Sequence, residues 1–192
     1  MRTYPLHWLL VLALTLGVAA PVVADKGDGA FKLEGAWVAR VVPPYYGQWT
    51  YVMVPDPSGK RASGHGSVDV GFRANFVCDL NGFPTTFDVP DSESPILVSM
   101  VMTGPDTGTY NAMWYGLKNL GSTSPISNEI VLIGTVTGEL EFVAPGEMHG
   151  THNFAIYYPT ADVDGDGFPD EGTVPDCMFQ LNTVDKRLPM PK

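Results

Sequence analysis

Residues 162–171 read Asp162-Val163-Asp164-Gly165-Asp166-Gly167-Phe168-Pro169-Asp170-Glu171. Calcium is a hard cation that takes about six to eight oxygen ligands. Carboxylates at alternate positions of a tight turn can aim their oxygens at one point, so Asp162, Asp164 and Asp166 form the nucleus of a calcium loop. Gly167 stands where the backbone must turn sharply, Phe168 offers its carbonyl, and Asp170 adds a further carboxylate. Carboxylates packed this closely repel one another unless a cation sits among them, which favours Ca2+ over a merely solvated acidic turn. The expected role of the ion is structural, stiffening the crossing between strands at 149–158 and 177–183.

The histidines offer less. His149 and His152 invite a zinc reading, but residues three apart on a strand point to opposite faces. Glu147 and His149 do share a face, as do Glu139 and Glu141, and a solvated outer face explains both pairs. The stretch 63–67 (Ser-Gly-His-Gly-Ser) reads as flexible and polar. It lacks the Lys-Ser/Thr ending and following helix of a phosphate loop. No Gly-x-Ser-x-Gly, Cys-x-x-Cys or His-Glu-x-x-His occurs.

These residues sit in a chain built for export. Arg2 is the sole charge in the first 24 residues, an apolar run covers 6–20, and Val22-Val23-Ala24 fits small-x-small cleavage. The run is short for a membrane span, so 1–24 is expected to be a cleavable signal peptide with no span left after cleavage. Its removal makes the formal net charge one unit more negative than −10. Such acidity disfavours nucleic acid and anionic membranes as partners. Two cysteines in an exported chain, Cys78 and Cys177, predict a disulfide and a secreted or periplasmic location. A bridge closing so long a loop is worth about 4–5 kcal/mol in the chain-entropy model.

The remaining residues, 25–192, read as one all-β domain. Gly and Pro punctuate segments rich in Val, Ile, Tyr, Phe, Trp and Thr, with no long helical periodicity after the signal. Strands are expected at 35–42, 48–54, 66–70, 72–78, 85–89, 96–103, 109–117, 129–137, 139–143, 149–158 and 177–183, with hairpin turns at 55–59 and 104–108. A polar loop is expected at 119–127, and loose tails at 25–33 and 186–192. Sequential hairpins favour closure into a single antiparallel β-barrel, which removes exposed edges. A β-sandwich is the second choice.

Three resemblances bear on this picture. The loop at 162–173 resembles EF-hand and dockerin loops and, more closely, the Asp-Gly-Asp-Gly-x-Pro-Asp loops of thrombospondin type 3 repeats. Unlike an EF-hand it carries Thr173 in place of the bidentate twelfth ligand and has no flanking helices, which leaves Glu171 or Asp176 to complete the oxygen set. Gly35-Ala36-Trp37 resembles the Gly-x-Trp opening of lipocalins and other calycins. That likeness implies an eight-stranded barrel whose closed end Trp37 plugs. The whole chain resembles exported bacterial β-barrel proteins of unknown function that carry one such acidic loop before a Cys.

The function expected from these readings is binding. An exported, calcium-stabilised, lipocalin-like barrel would hold a small apolar ligand or a surface partner, with Trp114 and Tyr51 as pocket rings. The alternatives are a barrel hydrolase or isomerase using His149, His152 or Glu147 at a mouth, or a module binding a cell-surface glycan through exposed Trp and Tyr.

Overall fold

From Cys177 to Asp185 every second side chain is buried, while Met178, Gln180 and Asn182 face outward. That period of two is the signature of a strand with one face in a core. It recurs along the chain and sets which residues meet inside. The computed structural model describes residues 32–45, 47–69, 78–79, 82–83, 87–88, 90–121 and 128–189. The expected signal peptide and its cleavage site lie outside the described residues.

Nine strands form one sheet: β1 (Gly35–Val41), β2 (Gln48–Pro55), β3 (Arg61–Asp69), β4 (Ser92–Glu93), β5 (Ile96–Met102), β6 (Thr107–Asn119), β7 (Asn128–Ala144), β8 (Glu147–Tyr157) and β9 (Cys177–Arg187). Every pairing is antiparallel, and β9 returns to pair with β1. With β6 joined to both β5 and β7, the sheet closes into an eight-stranded barrel, which rules out the sandwich. The two-residue β4 pairs with the far end of β6, beyond β5. Pro95, which has no N–H to donate, separates β4 from β5.

The two ends differ. At one end the connections are short: 56–60, 103–106 and 145–146. Here Trp37 is fully buried with Leu33, and its Nε1 donates to the Leu33 carbonyl at 2.8 Å. The Arg187 guanidinium lies 4.8 Å from the Trp37 ring centroid and donates to the Lys32 carbonyl. Trp37 thus floors the barrel, in the place the calycin likeness implied. The other end carries the long connections, 70–91, 120–127 and 158–176. There Cys78 is bonded to Cys177 with their Cα atoms 5.7 Å apart, and both are fully buried.

Several expectations need correction. The stretch 63–67 is not flexible but lies inside β3, whose inward positions are Ala62, Gly64 and Gly66. A Cβ on Gly64 or Gly66 would meet the Val52 or Thr50 carbonyl oxygen at 2.1 Å, so these glycines let β2 pass close by. The segments 129–137 and 139–143 are one strand, β7, running through Gly138. Cys78 and Asp79 lie in a helical turn rather than at a strand's end, and Phe87 and Asp88 lie outside any strand. The rest of the expected strands 72–78 and 85–89 falls outside the described residues. The C-terminal strand runs on to Arg187 instead of ending at 183.

The bridge closes a separation of 99 residues and ties the connection after β3 to the start of β9. Replacing both cysteines by serine is expected to lower the unfolding free energy by about 2–5 kcal/mol. Urea denaturation under identical buffer conditions checks this.

Candidate functional site

The inward residues do not fill the barrel. A cavity of about 60 Å³ runs from Asp185 and Leu140, above the Trp37 floor, to Gly47, Gln48 and Glu93 at the opposite end. Its wall is mostly carbon: Val98, Met100, Ala112, Val136 and Leu181, with the rings of Trp49, Tyr51, Tyr110, Trp114 and Phe154. The rings meet edge to face, with Trp49 6.2 Å and Trp114 5.9 Å from Phe154, while Phe154 stacks on Phe179 at 4.9 Å. Trp114 and Tyr51 therefore line the cavity as expected, and Trp49 joins them.

Glycines make room for these rings. Trp114 on β6 stands opposite Gly134 on β7, and a Cβ there would meet the ring at 2.3 Å. Tyr110 likewise stands opposite Gly138, whose Cβ would meet its ring at 2.4 Å. The glycine read as a break between two strands is thus the slot that seats a cavity ring.

Polar groups cross the interior among these rings. Tyr110 hydrogen-bonds His152 Nδ1, and His152 Nε2 shares a 2.6 Å hydrogen bond with the Thr183 hydroxyl. Burial pulls His152 down to about 3, so its ring is neutral. Tyr51 donates its hydroxyl to Asp185 Oδ2 at 2.5 Å. Burial first, then the Asp185 charge, pushes the Tyr51 hydroxyl up, so it stays a donor. Burial also pushes the Asp185 carboxyl up, against the pull of Thr183, Tyr51 and His149. Asp185 is 1% exposed, and its Oδ1 has no partner among the described residues. At the other end, Glu93 Oε2 is also buried without a partner, and burial pushes this carboxyl up to about 7.

Sequence reasoning missed both carboxylates. Asp185 falls just before the expected loose tail at 186–192, although alternation from Cys177 sends it inward. Glu93 sits in a polar stretch, and nothing local signals that β4 would carry it to the barrel's interior.

The acidic loop forms a separate cluster. The carboxylates of Asp162, Asp164 and Asp166 offer oxygens all within 4.8 Å of one another. Oxygens around one calcium at about 2.3–2.6 Å fall within that spread, so the set fits the ion. Asp162 also accepts from the Gly165 and Gly167 N–H groups, Asp164 from Asp166 and Asp166 from Phe168. Gly165 and Gly167 take positive φ values of 77° and 92°, which only glycine adopts without strain. Asp170 stands outside the three-carboxylate cluster and closes the loop through its own N–H to the Ala161 carbonyl, 2.8 Å. Phe168 is exposed, and its carbonyl remains the expected backbone ligand. Asp176 caps the Tyr158 N–H at the base of the excursion. The loop lies on the barrel's flank: Tyr115 on β6 donates to the Gly167 carbonyl at 2.8 Å, and the 3-10 turn Pro159–Ala161 packs on β7.

The two histidines do not meet, and only His152 lines the cavity. His149 faces outward beside Glu147, 3.5 Å away, and Glu147 also pairs with Lys186, whereas His152 points into the barrel. Among the described residues no Trp or Tyr is exposed, so the aromatic platform expected for a cell-surface glycan is absent there. No described helix is long and apolar enough to cross a membrane.

No protein-family model matches the chain, and no curated protein matches it. Among solved structures, one described as EF1p2_mFAP2b bound to DFHBI covers 85% of this chain and 100% of its own, at 14% identity and a TM-score of 0.44. A likeness of that degree adds nothing to the strand pairing above.

The buried ionisable groups predict a stability maximum at mildly acidic pH. His152 is neutral when folded and protonated when unfolded between its ordinary 6.5 and about 3. Its contribution is complete above that window and is lost as pH falls through it. Glu93 acts in the opposite sense: its contribution is complete below 4.5 and is lost as pH rises to about 7. Urea midpoints measured across this range should show both losses. Glu93→Gln should remove the one toward neutrality and His152→Gln the one toward acid.

Proposed function

We propose that this protein is an exported carrier. In this reading residues 1–24 are removed and residues 25–192 form one barrel domain. Calcium, held by Asp162, Asp164, Asp166, the Phe168 carbonyl and Asp170, stiffens the flank of its open end. The interior holds a small, largely apolar ligand. The observation that carries the reading is the cavity itself, walled by carbon and rings. Small-molecule sites are of this kind, concave and mostly apolar with a few placed polar groups. The Cys78–Cys177 bridge fits a secreted or periplasmic location, where disulfides persist.

Native mass spectrometry of the protein recovered from its own exported fraction tests the whole reading in one spectrum. The expected result is a chain starting at Asp25, carrying one calcium and an additional organic mass. Recovery of the mature chain with no organic mass, and no uptake of small apolar probes afterwards, would sink the carrier reading.

The calcium part has its own test. With extracellular-grade affinity, millimolar calcium is expected to add about 1 kcal/mol, or roughly 2–4 °C in Tm. Asp164→Ala should erase that increment. A melting temperature indifferent to calcium in the unsubstituted protein would remove the ion from the account.

A further inference from the structure

The barrel's outer wall is polarised. Among the described side chains, the outward positions of β1, β2, β3 and β5 carry no Asp or Glu, and their only permanent cations are Arg40 and Arg61. Glu34 and Asp56 stand beyond this wall, at the closed end. The opposite wall is acidic. Glu139 and Glu141 on β7 and Glu147 on β8 face outward there, and the loop of Asp162, Asp164 and Asp166 lies against β6 and β7. β3 and β8 are four strands apart either way round the barrel, so the two walls face in opposite directions.

The acid-free wall is also apolar. Register places Ala36, Val52, His65 and Leu97 in one row across β1, β2, β3 and β5. Val54 lies in the next row with Ser63 and Ser99, and Val101 lies in the one after, beside Arg61. Val52, Val54, Leu97 and Val101 are each 40–62% exposed. Single exposed valines are ordinary, but a set gathered on the carboxylate-free wall of a chain with net charge −10 marks a contact surface.

We propose that two copies of the chain pair through this wall as a face-to-face homodimer. The proposal stands apart from the cavity, which lies on the inner side of the barrel.

Two features choose a second copy as the occupant. The first is charge. A net charge this far from zero makes the chain repel its own copies. Meeting through the acid-free wall turns both acidic walls outward, with two barrels between them, well beyond the ~8 Å over which salt screens. Approach through β6 to β8 sets carboxylate against carboxylate instead. The second is the row itself. Two packed sheets keep their strands within about 30° of each other. A two-fold axis along β3 then lays Leu97 of one copy on Val52 of the other, and Val52 on Leu97, with both His65 rings at the axis. That is the self-complementary contact an isologous dimer needs. The wall offers fewer than the roughly 20–30 residues a side of a standard interface, so the dimer is weak and concentration-dependent.

The test is sedimentation equilibrium of the mature chain, disulfide intact, from about 10 µM to about 1 mM. The expected result is a monomer–dimer equilibrium that tightens as salt rises, because screening removes residual repulsion. Leu97→Glu should weaken it about tenfold or more, since it sets a carboxylate in the apolar contact. Thr137→Glu, at an exposed position on β7, adds the same charge to the opposite wall and should leave the equilibrium within about twofold. Melting temperatures of both variants show that they fold, and Val54→Glu replaces Leu97→Glu if that variant does not. A chain that stays monomeric at the highest concentration would overturn the proposal and leave the wall to a different protein. So would a dimer that Leu97→Glu leaves intact, one that Thr137→Glu weakens equally, or one that dissociates as salt rises.

Discussion

An eight-stranded barrel has an interior only just wide enough for its own side chains to fill. Everything else in this structure follows from how the chain meets that limit. Space survives inside because some inward positions carry little or nothing: Ala62, Gly64 and Gly66 on β3, and Gly134, Gly138 and Gly150 on β7 and β8. Large rings then fold across those gaps instead of filling the axis, with Trp114 over Gly134 and Tyr110 over Gly138. The cavity is what this exchange of small for large leaves behind. Its polar lining follows as well, since Gly150 gives the His152 ring the space it occupies between Tyr110 and Thr183.

The ends of the barrel divide the remaining work. Short hairpins and the Trp37–Leu33 plug seal one end, and the Arg187 guanidinium covers the plug. The other end bears long connections, which lose more conformational entropy on ordering. Two devices restrain them. The Cys78–Cys177 bridge anchors the connection after β3 to the first residue of β9. The acidic excursion before Cys177 is tied to β6 by Tyr115, and its 3-10 turn lies on β7 where the outward Val131 and Ile133 are nonetheless buried. The acidic loop therefore belongs to the scaffold of the open end, not to the cavity chemistry.

Alternation made much of this legible in advance. The inward set Ile96, Val98, Met100 and Met102 and the opposed faces of His149 and His152 follow from the period of two. The disulfide followed from an even cysteine count, and Tyr51 and Trp114 from aromatic content. Glycine marked the turns at 55–59 and 104–108 but misled at Gly64, Gly66 and Gly138. In β3 and β7 it serves close packing between strands, a property of partners far away in sequence. Asp185 was hidden for a related reason. A carboxylate between Val184 and Lys186 looks like surface by composition, and only the barrel's closure through β1 extends β9 far enough to bury it. Glu93 depended on a non-local pairing, β4 with β6, that no local pattern announces.

If unfilled interior space is what the barrel keeps for its ligand, filling it should separate stability from binding. Ala112 lines the cavity midway along β6 and is half-buried, so Ala112→Leu places three extra carbons into the void without touching Asp185. The direct measurement is uptake of 1-hexanol by this variant and by the unsubstituted protein, alongside their melting temperatures. The account predicts a melting temperature held or raised and alcohol uptake reduced by about tenfold or more, the effect of displacing a few buried methylenes of ligand. Undiminished uptake by a variant that folds as well as its parent would contradict it, and would place any ligand outside the barrel.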